Sequence, residues 1–374
     1  MKICIDGRAA KWYRGTGIGT YTYQLIKSLN NIDNINNYTV FMPEVEKFDI
    51  TLNSNFNINK IIKSIQNNFW DQVNIPNILD NVEADIYHVP QNGVGLPFKK
   101  KCKFVITLHD VIPLKMPETV GEKYLKIFNE DMQSIVSLCD GIITVSEFSK
   151  DDISKAFNFP RDKIYVTHLA SEEVYKPLDR CSCKKNIEKN YGIKEDFILY
   201  IGGFSPRKNI IGLLEAFSKL VQVNNKTIKL IIGGTKGISY PKYKNKSIEL
   251  GIENHVIFPG FIPLEHLPWF YNCCEFFVYP SLYEGFGLPP LEAMACGSAV
   301  IASNLTSIPE VLGDSAFLVD PRDQDELYRA MINLLDDNNF KKNLIEKGLK
   351  RNSTFSWNET ARNTLLAYKN ICKQ

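Results

Sequence analysis

Short runs rich in β-branched and aromatic residues alternate with helical patterns along the whole of this sequence, and that alternation restricts the fold more than any other feature. Strands separated by helical segments do not pair as hairpins. Their connections cross over, which builds parallel sheets from βαβ units. In the first half the strand-like runs are 2–6, 38–42, 85–89, 104–108, 141–145 and 164–167, with helical patterns at 20–29 and 120–139. Ser146 stands just before a further helical pattern, where its hydroxyl can cap free N–H groups. The second half repeats the scheme, with strands at 197–201, 229–232, 256–258, 276–279, 299–302 and 316–319. Its helical patterns are 210–220, 290–295, 324–335, 339–350 and 358–371. Between the halves, 169–190 carries Pro177 and a run of charge and cysteine, and reads as a linker; the Asn-rich stretch 30–37 reads as a loop.

A chain of 374 residues exceeds one ordinary core. The expectation is therefore an α/β protein of two Rossmann-like, doubly wound parallel-sheet domains, 1–172 and 173–355, followed by 356–374. Open α/β sheets bind ligands beyond the carboxyl ends of their strands. Two of them in tandem predict a site in an interdomain cleft.

Composition removes several classes. The chain is 44% hydrophobic and 23% charged, as folded soluble proteins are. Its formal net charge of +2 gives no global reason to bind nucleic acid. The opening MKICIDGRAA has no signal-like apolar core, and no later run approaches membrane-spanning length, so a cytoplasmic location is expected. The nine cysteines lack a secreted disulfide pattern. Neither Cys181-Ser182-Cys183 nor Cys273-Cys274 has a second Cys/His pair at zinc-site spacing, so no metal is expected there. Lys99, Lys100, Lys101 and Lys103 form the densest basic cluster. It is either a solvated loop or a peripheral contact with anionic lipid at the inner face of a membrane.

The chemistry-bearing residues fall just after strands. Gly15-Thr16-Gly17-Ile18-Gly19 follows the first strand and opens a helix, as either a tight turn or a backbone cradle for phosphate. His109, after Leu108 at a strand end, can hydrogen-bond a sugar hydroxyl while neutral, or serve only the core. Asp110 beside it would orient it or touch the acceptor. Gly202-Gly203-Phe204-Ser205-Pro206-Arg207-Lys208 thins the backbone and then presents two cations, of which Arg suits bidentate phosphate contact and Lys acts as a point charge. A solvated charged face is the plainer reading.

Glu284-Gly285-Phe286-Gly287-Leu288-Pro289-Pro290-Leu291-Glu292 is the most specific stretch. Its glycines and helix entrance form a pocket for oxygen-rich ligands. Glu292, read as lying in the first helical turn, can accept ribose hydroxyls as acids of dinucleotide folds do. The plainer alternative is two glutamates that favour the helix dipole.

At this stretch the sequence resembles glycosyltransferase family 4. Glu284-x7-Glu292 is followed by Met294-Ala295-Cys296-Gly297-Ser298-Ala299-Val300-Ile301-Ala302-Ser303 and by Pro309-Glu310-Val311. The glycine loop, Leu108-His109-Asp110 and Pro206-Arg207-Lys208 fall in the family's order. The resemblance implies a GT-B fold with an acceptor-side first domain, a nucleotide-sugar-binding second domain and a final helix crossing back to the first. It implies a retaining hexosyltransferase without cofactor or metal, in which Arg207 and Lys208 neutralise the departing diphosphate. Glu284 would then read the donor sugar and Glu292 the ribose. His109 would contact the sugar, and Gly17 to Gly19 would approach phosphate or acceptor. Gly203, Gly285, Phe286, Gly287 and Leu288 complete the donor site. Some family members place a separate arginine several residues before the lysine; here Gly202 stands at that place.

Within the family the resemblance is to mannosyltransferases of surface polysaccharide assembly. It implies GDP-mannose as donor, with a UDP-sugar next, and a glycan or lipid-linked acceptor. Three other functions fit the fold: a nucleotide-sugar epimerase, a nicotinamide-dependent oxidoreductase and an inactive carbohydrate-binding protein. The oxidoreductase is disfavoured because the glycine loop departs from G-x-G-x-x-G.

Overall fold

The computed structural model describes residues 1–12, 14–43, 49–61, 78–80, 82–223, 228–237 and 239–373. They divide into two compact units, 1–169 with 356–374 and 170–355.

The first unit is built on a seven-stranded sheet in the order β3-β2-β1-β4-β5-β6-β7. The strands are β1 Lys2–Asp6, β2 Asn37–Pro43, β3 Phe56–Ile61, β4 Ile86–Val89, β5 Lys103–Thr107, β6 Gly141–Thr144 and β7 Ile164–Val166. All adjacent pairs are parallel. The central strands are buried along nearly their whole length, as a sheet covered on both faces requires. From β1 the chain winds outward to β3 and then returns to the other side of β1. The gap between the ends of β1 and β4 is therefore a topological switch point, where such sheets open a crevice.

The second unit has six parallel strands in the order β10-β9-β8-β11-β12-β13. They are β8 Phe197–Ile201, β9 Lys229–Gly233, β10 Val256–Gly260, β11 Phe277–Tyr279, β12 Val300–Ser303 and β13 Phe317–Val319. Its switch point lies between β8 and β11. The two most chemical stretches of the sequence leave those two strands.

Thr16 caps the helix Gly17–Ile32 by accepting from the Gly19 amide, and Ser146 caps Glu147–Phe157 by accepting from Ser149. The last helix, Trp357–Lys373, belongs to the first unit and packs on Gly17–Ile32. Gly141, the first residue of β6, lets the same helix lie close on the sheet: a Cβ there would lie 2.5 Å from Ile371 Cδ1.

Two sequence expectations are corrected. The second half of the expected linker is the helix Arg180–Tyr191, begun by the Asp179 carboxylate and ended by Gly192 in the left-handed region. It buries only Cys183 and Ile187, so its apolar periodicity is faint. The Asn-rich loop shrinks to 33–36, because the helix runs to Ile32 and β2 begins at Asn37. The Asp33 carboxylate organises it by accepting from the Ile35 and Asn36 amides, the Asn36 side chain and the Tyr38 hydroxyl. The sequence reading also omitted β3 and the helices Tyr240–Glu249 and Leu267–Cys273. Among the described residues no helix is long and apolar enough to cross a membrane.

Candidate active site

In the second unit, the chain leaves β8 through Gly202 and Gly203 and makes a tight 3-10 turn at Pro206–Lys208. Asn209 then takes the left-handed conformation (φ 54°), which Asn tolerates better than most residues, and helix Ile210–Val223 begins. A Cβ on Gly203 would meet nothing within 4 Å, so that glycine borders open space. Across the switch point, the chain leaves β11 at Tyr279 and reaches Gly287, whose φ of 100° favours glycine. Helix Leu288–Ala295 follows, with prolines in its first turn.

These two loops bring Arg207, Lys208 and Glu284 together. Arg207 Nη1 donates to Glu284 Oε1 at 2.9 Å and to the Tyr283 carbonyl at 3.0 Å. Lys208 Nζ donates to the same carboxylate oxygen and, at 2.5 Å, to the Tyr279 hydroxyl. Tyr279 in turn donates to Glu284 Oε1 at 3.0 Å. Burial alone would raise the Glu284 carboxyl, but Arg207 and Lys208 outweigh it and hold the group down at about 2. Glu284 is thus a buried carboxylate that stays ionised because two cations face it. Tyr279 was not singled out from the sequence, although its place at the end of β11, five residues before Glu284, is a readable signal.

Glu292 has other company. It lies beyond the first turn of its helix, contrary to the sequence expectation, because the helix already begins at Leu288. Tyr271 donates to its Oε2 at 3.0 Å, and Tyr175 is a second hydroxyl donor. Burial, with the nearby charge of Glu172, raises its carboxyl to about 7 despite those bonds.

In the first unit, His109 follows β5. Its amide donates to Asn92 Oδ1 at 2.9 Å, and its Nε2 lies 3.1 Å from the Pro90 carbonyl. A carbonyl only accepts, so that contact assigns the ring proton to Nε2 and leaves Nδ1 as an acceptor. Burial lowers its pKa to about 4, against the opposing pull of Pro90, so the ring is neutral at physiological pH. Tyr21 meets it edge to face, centroids 4.9 Å apart. Asp110 Oδ1 accepts from the Ile112 amide at 3.0 Å, which shapes the start of the short helix Ile112–Lys115.

A polar row behind His109 was missed by sequence reasoning. Tyr21 and His88 both bond Thr107 Oγ1, at 2.9 and 2.8 Å, and His88 Nδ1 lies 2.6 Å from the hydroxyl of Tyr368 on the last helix. No local motif joins residues 280 positions apart. In the glycine loop, Gly15 has φ 92°, the backbone reason for a glycine there, while a Cβ on Gly17 would meet nothing within 4 Å. The basic cluster is engaged: Lys100 and Lys103 pair with Asp140 at 2.8 and 3.4 Å, and Lys101 pairs with Asp80.

Comparison with known proteins decides the family. Residues 184–351 match the model for glycosyl transferases group 1, and residues 15–170 match that for glycosyltransferase family 4. O-antigen chain mannosyltransferase B from Escherichia coli is 32% identical over 99% of this chain and 100% of its own length. The chain belongs to glycosyltransferase family 4.

The transferase is also 30% identical to the Escherichia coli serotype-specific mannosyltransferase WbdA over 74% of its own length, spanning 34% of that longer protein. Among solved structures, it resembles sucrose-phosphate synthase from Thermosynechococcus elongatus (TM-score 0.79, 19% identity, 99% and 98% of the two chains). It likewise resembles Anabaena HepE in complex with UDP and glucose (TM-score 0.73, 17% identity, 98% of each chain). At those identities the likeness concerns the fold, which is GT-B. Each half of the transferase is one of that fold's Rossmann-like sheets.

Proposed function

We propose that this glycosyltransferase retains anomeric configuration, needs no metal, and moves mannose from GDP-mannose to a glycan or lipid-linked acceptor in surface polysaccharide assembly. The observation that carries the chemistry is the meeting of Arg207, Lys208 and Glu284 at the switch point of the second sheet. Departure of a nucleoside diphosphate leaves negative charge on phosphate. Two preorganised cations meet that charge without solvent reorganisation, which is the work a metal does elsewhere. The choice of mannose rests on the full-length similarity to a protein named as a mannosyltransferase.

In this reading the second unit takes the donor and the first the acceptor. Arg207 and Lys208 hold the diphosphate, Glu284 reads the sugar and Glu292 the ribose. Gly203 and the loop Gly285, Phe286, Gly287 and Leu288 let backbone approach the nucleotide sugar. His109 accepts from a sugar hydroxyl through Nδ1, and the helix start at Gly17 and Gly19 offers N–H groups to phosphate or acceptor. A carboxylate facing two cations, with a pKa held near 2, is a weak nucleophile. That supports front-face attack, with the departing phosphate taking the acceptor's proton, over a glycosyl–Glu284 intermediate. The protein works in the cytoplasm, and peripheral contact with an anionic membrane surface would fall to Lys99, beside lysines already paired with Asp140 and Asp80.

A donor series tests this. Purified protein is heated with GDP, GDP-mannose, UDP and UDP-glucose, each with and without excess EDTA. A ligand at ~100 times its Kd adds ~2.7 kcal/mol of stability, so GDP and GDP-mannose should raise Tm by several degrees, unchanged by EDTA. A shift with the uridine nucleotides alone refutes the guanine donor, and turnover lost to EDTA and restored by magnesium or manganese refutes metal independence. Retention requires that the product's anomeric C–H coupling match the donor's.

A further inference from the structure

The backbone of Glu284 is tied on both sides to a segment that carries none of the chemistry assigned so far. Thr306 Oγ1 accepts from the Glu284 amide at 3.1 Å. The neighbouring Ser307 hydroxyl donates to the Glu284 carbonyl at 2.9 Å and to the Phe286 carbonyl at 3.2 Å. Ile308 completes the fit, since a Cβ on Gly287 would come within 2.5 Å of its Cδ1. The stretch 306–308, after β12, is therefore a mould for the loop that bears Glu284.

Thr306 does this from an unfavourable conformation. Its φ is +58°, the left-handed region, where a β-branched side chain crowds its own backbone and glycine or asparagine is the usual occupant. A residue kept in a sparsely populated conformation persists only where its surroundings over-determine it, and such residues gather at functional sites. Glycine would relieve the backbone but could not bond the Glu284 amide. The hydroxyl is what a threonine supplies here that glycine does not.

We propose that Thr306 is a positioning residue for Glu284, fixing through its hydroxyl the backbone from which that carboxylate reaches Arg207 and Lys208. This rests on the reading of Glu284 as the residue at the donor sugar. Misplacing a reacting group by a fraction of an ångström costs turnover far more than it costs binding of a nucleotide that lacks the sugar.

The test uses the whole chain with Thr306→Gly, Thr306→Ala and Thr306→Ser, with Glu284→Gln alongside, read by Tm, by steady-state turnover of GDP-mannose and by GDP affinity. Thr306→Gly should keep or raise Tm while kcat falls on the order of tenfold and GDP affinity stays within about twofold. Thr306→Ala should be as slow as Thr306→Gly, and Thr306→Ser should recover most of the rate, because Ser and Ala at this position differ in the hydroxyl. That pair decides the matter if the glycine variant does not fold. In the Glu284→Gln background, Thr306→Ala should cost little more. A slow Glu284→Gln beside a fast Thr306→Ala overturns this inference alone, as does a Thr306→Ser no faster than Thr306→Ala, or a glycine variant whose rate falls only with its Tm. A fast Glu284→Gln overturns the reading on which it rests.

Discussion

Around β4 and β5 of the first unit, His88, Thr107, Tyr21 and Tyr368 form a hydrogen-bonded row, and burial holds His88 within it at about 3 and the adjacent His109 at about 4. Beyond β8 and β11 of the second unit, two cations close on one carboxylate held at about 2. The sheets share a winding pattern, and the first also keeps a buried Asp6–Arg8 ion pair (2.6 Å) at the end of β1. Yet the row at β4 and β5 is made of neutral rings and hydroxyls, where the loops beyond β8 and β11 meet through full charges. Neutral groups are satisfied by fixed partners and escape the desolvation cost of ions. Buried ions carry that cost, and their partners can be exchanged for another ion. The first arrangement suits holding a shape; the second suits meeting a charged ligand.

The largest expected effect tests whether the chemistry follows the charge. Lys208→Ala should lower kcat by roughly 10²–10³, the usual loss for one preorganised stabiliser of developing charge. Tyr368→Phe, in the neutral row, should leave kcat within a few-fold. Comparable losses in steady-state rates would erase the contrast between the two regions.

A smaller effect sharpens the contrast within the second unit. Free GDP contains the ribose but lacks the sugar. At a pH above 7, where Glu292 is ionised, Glu292→Ala should therefore weaken GDP binding by roughly 1.5–3 kcal/mol, the cost of a lost charged hydrogen bond. Glu284→Ala should leave GDP affinity nearly unchanged and damage turnover. Calorimetry on both variants decides, and equal losses of affinity would mean that the two glutamates do not divide donor recognition.

A third test is a pH dependence of opposite sign in the two units. His88 and His109 titrate below the usual 6.5, so their neutral forms stabilise the first unit fully above that pH, and the contribution is lost as pH falls toward 4. Glu292 titrates near 7 instead of 4.5, so its protonated form stabilises the second unit fully below 4.5, and that is lost as pH rises through 7. Each group contributes at most about 1.4 kcal/mol per pH unit. Between pH 6.5 and 4.5, hydrogen exchange corrected for intrinsic rates should show β5 losing protection while β11 and β12 gain it. Parallel changes would show that the two environments do not differ in this way.

Both sheets could be read from the sequence because buried parallel strands are largely apolar runs, as in Phe197–Ile201 and the first three residues of Val300–Ser303. The edge strand Phe56–Ile61 escaped because four of its six residues are exposed and polarity masks it. In the candidate site, Arg207, Lys208 and Glu284 could be named because each sits in a local pattern at a strand end. Their shared hydrogen bonds could not, since these need loops 76 residues apart to close on one another. Thr306 was illegible for another reason: a positive φ at a threonine leaves no trace in composition or spacing.

The return of Trp357–Lys373 to the first unit has a consequence for synthesis. That unit is interrupted in sequence by residues 170–355. On the ribosome the second unit can be translated whole, and so can fold, while the first still lacks the helix that packs on Gly17–Ile32 and supplies Tyr368 to His88. For all of that interval the nascent first unit carries an uncovered apolar helix face and an unfinished polar row. The half of the enzyme made first is the half completed last.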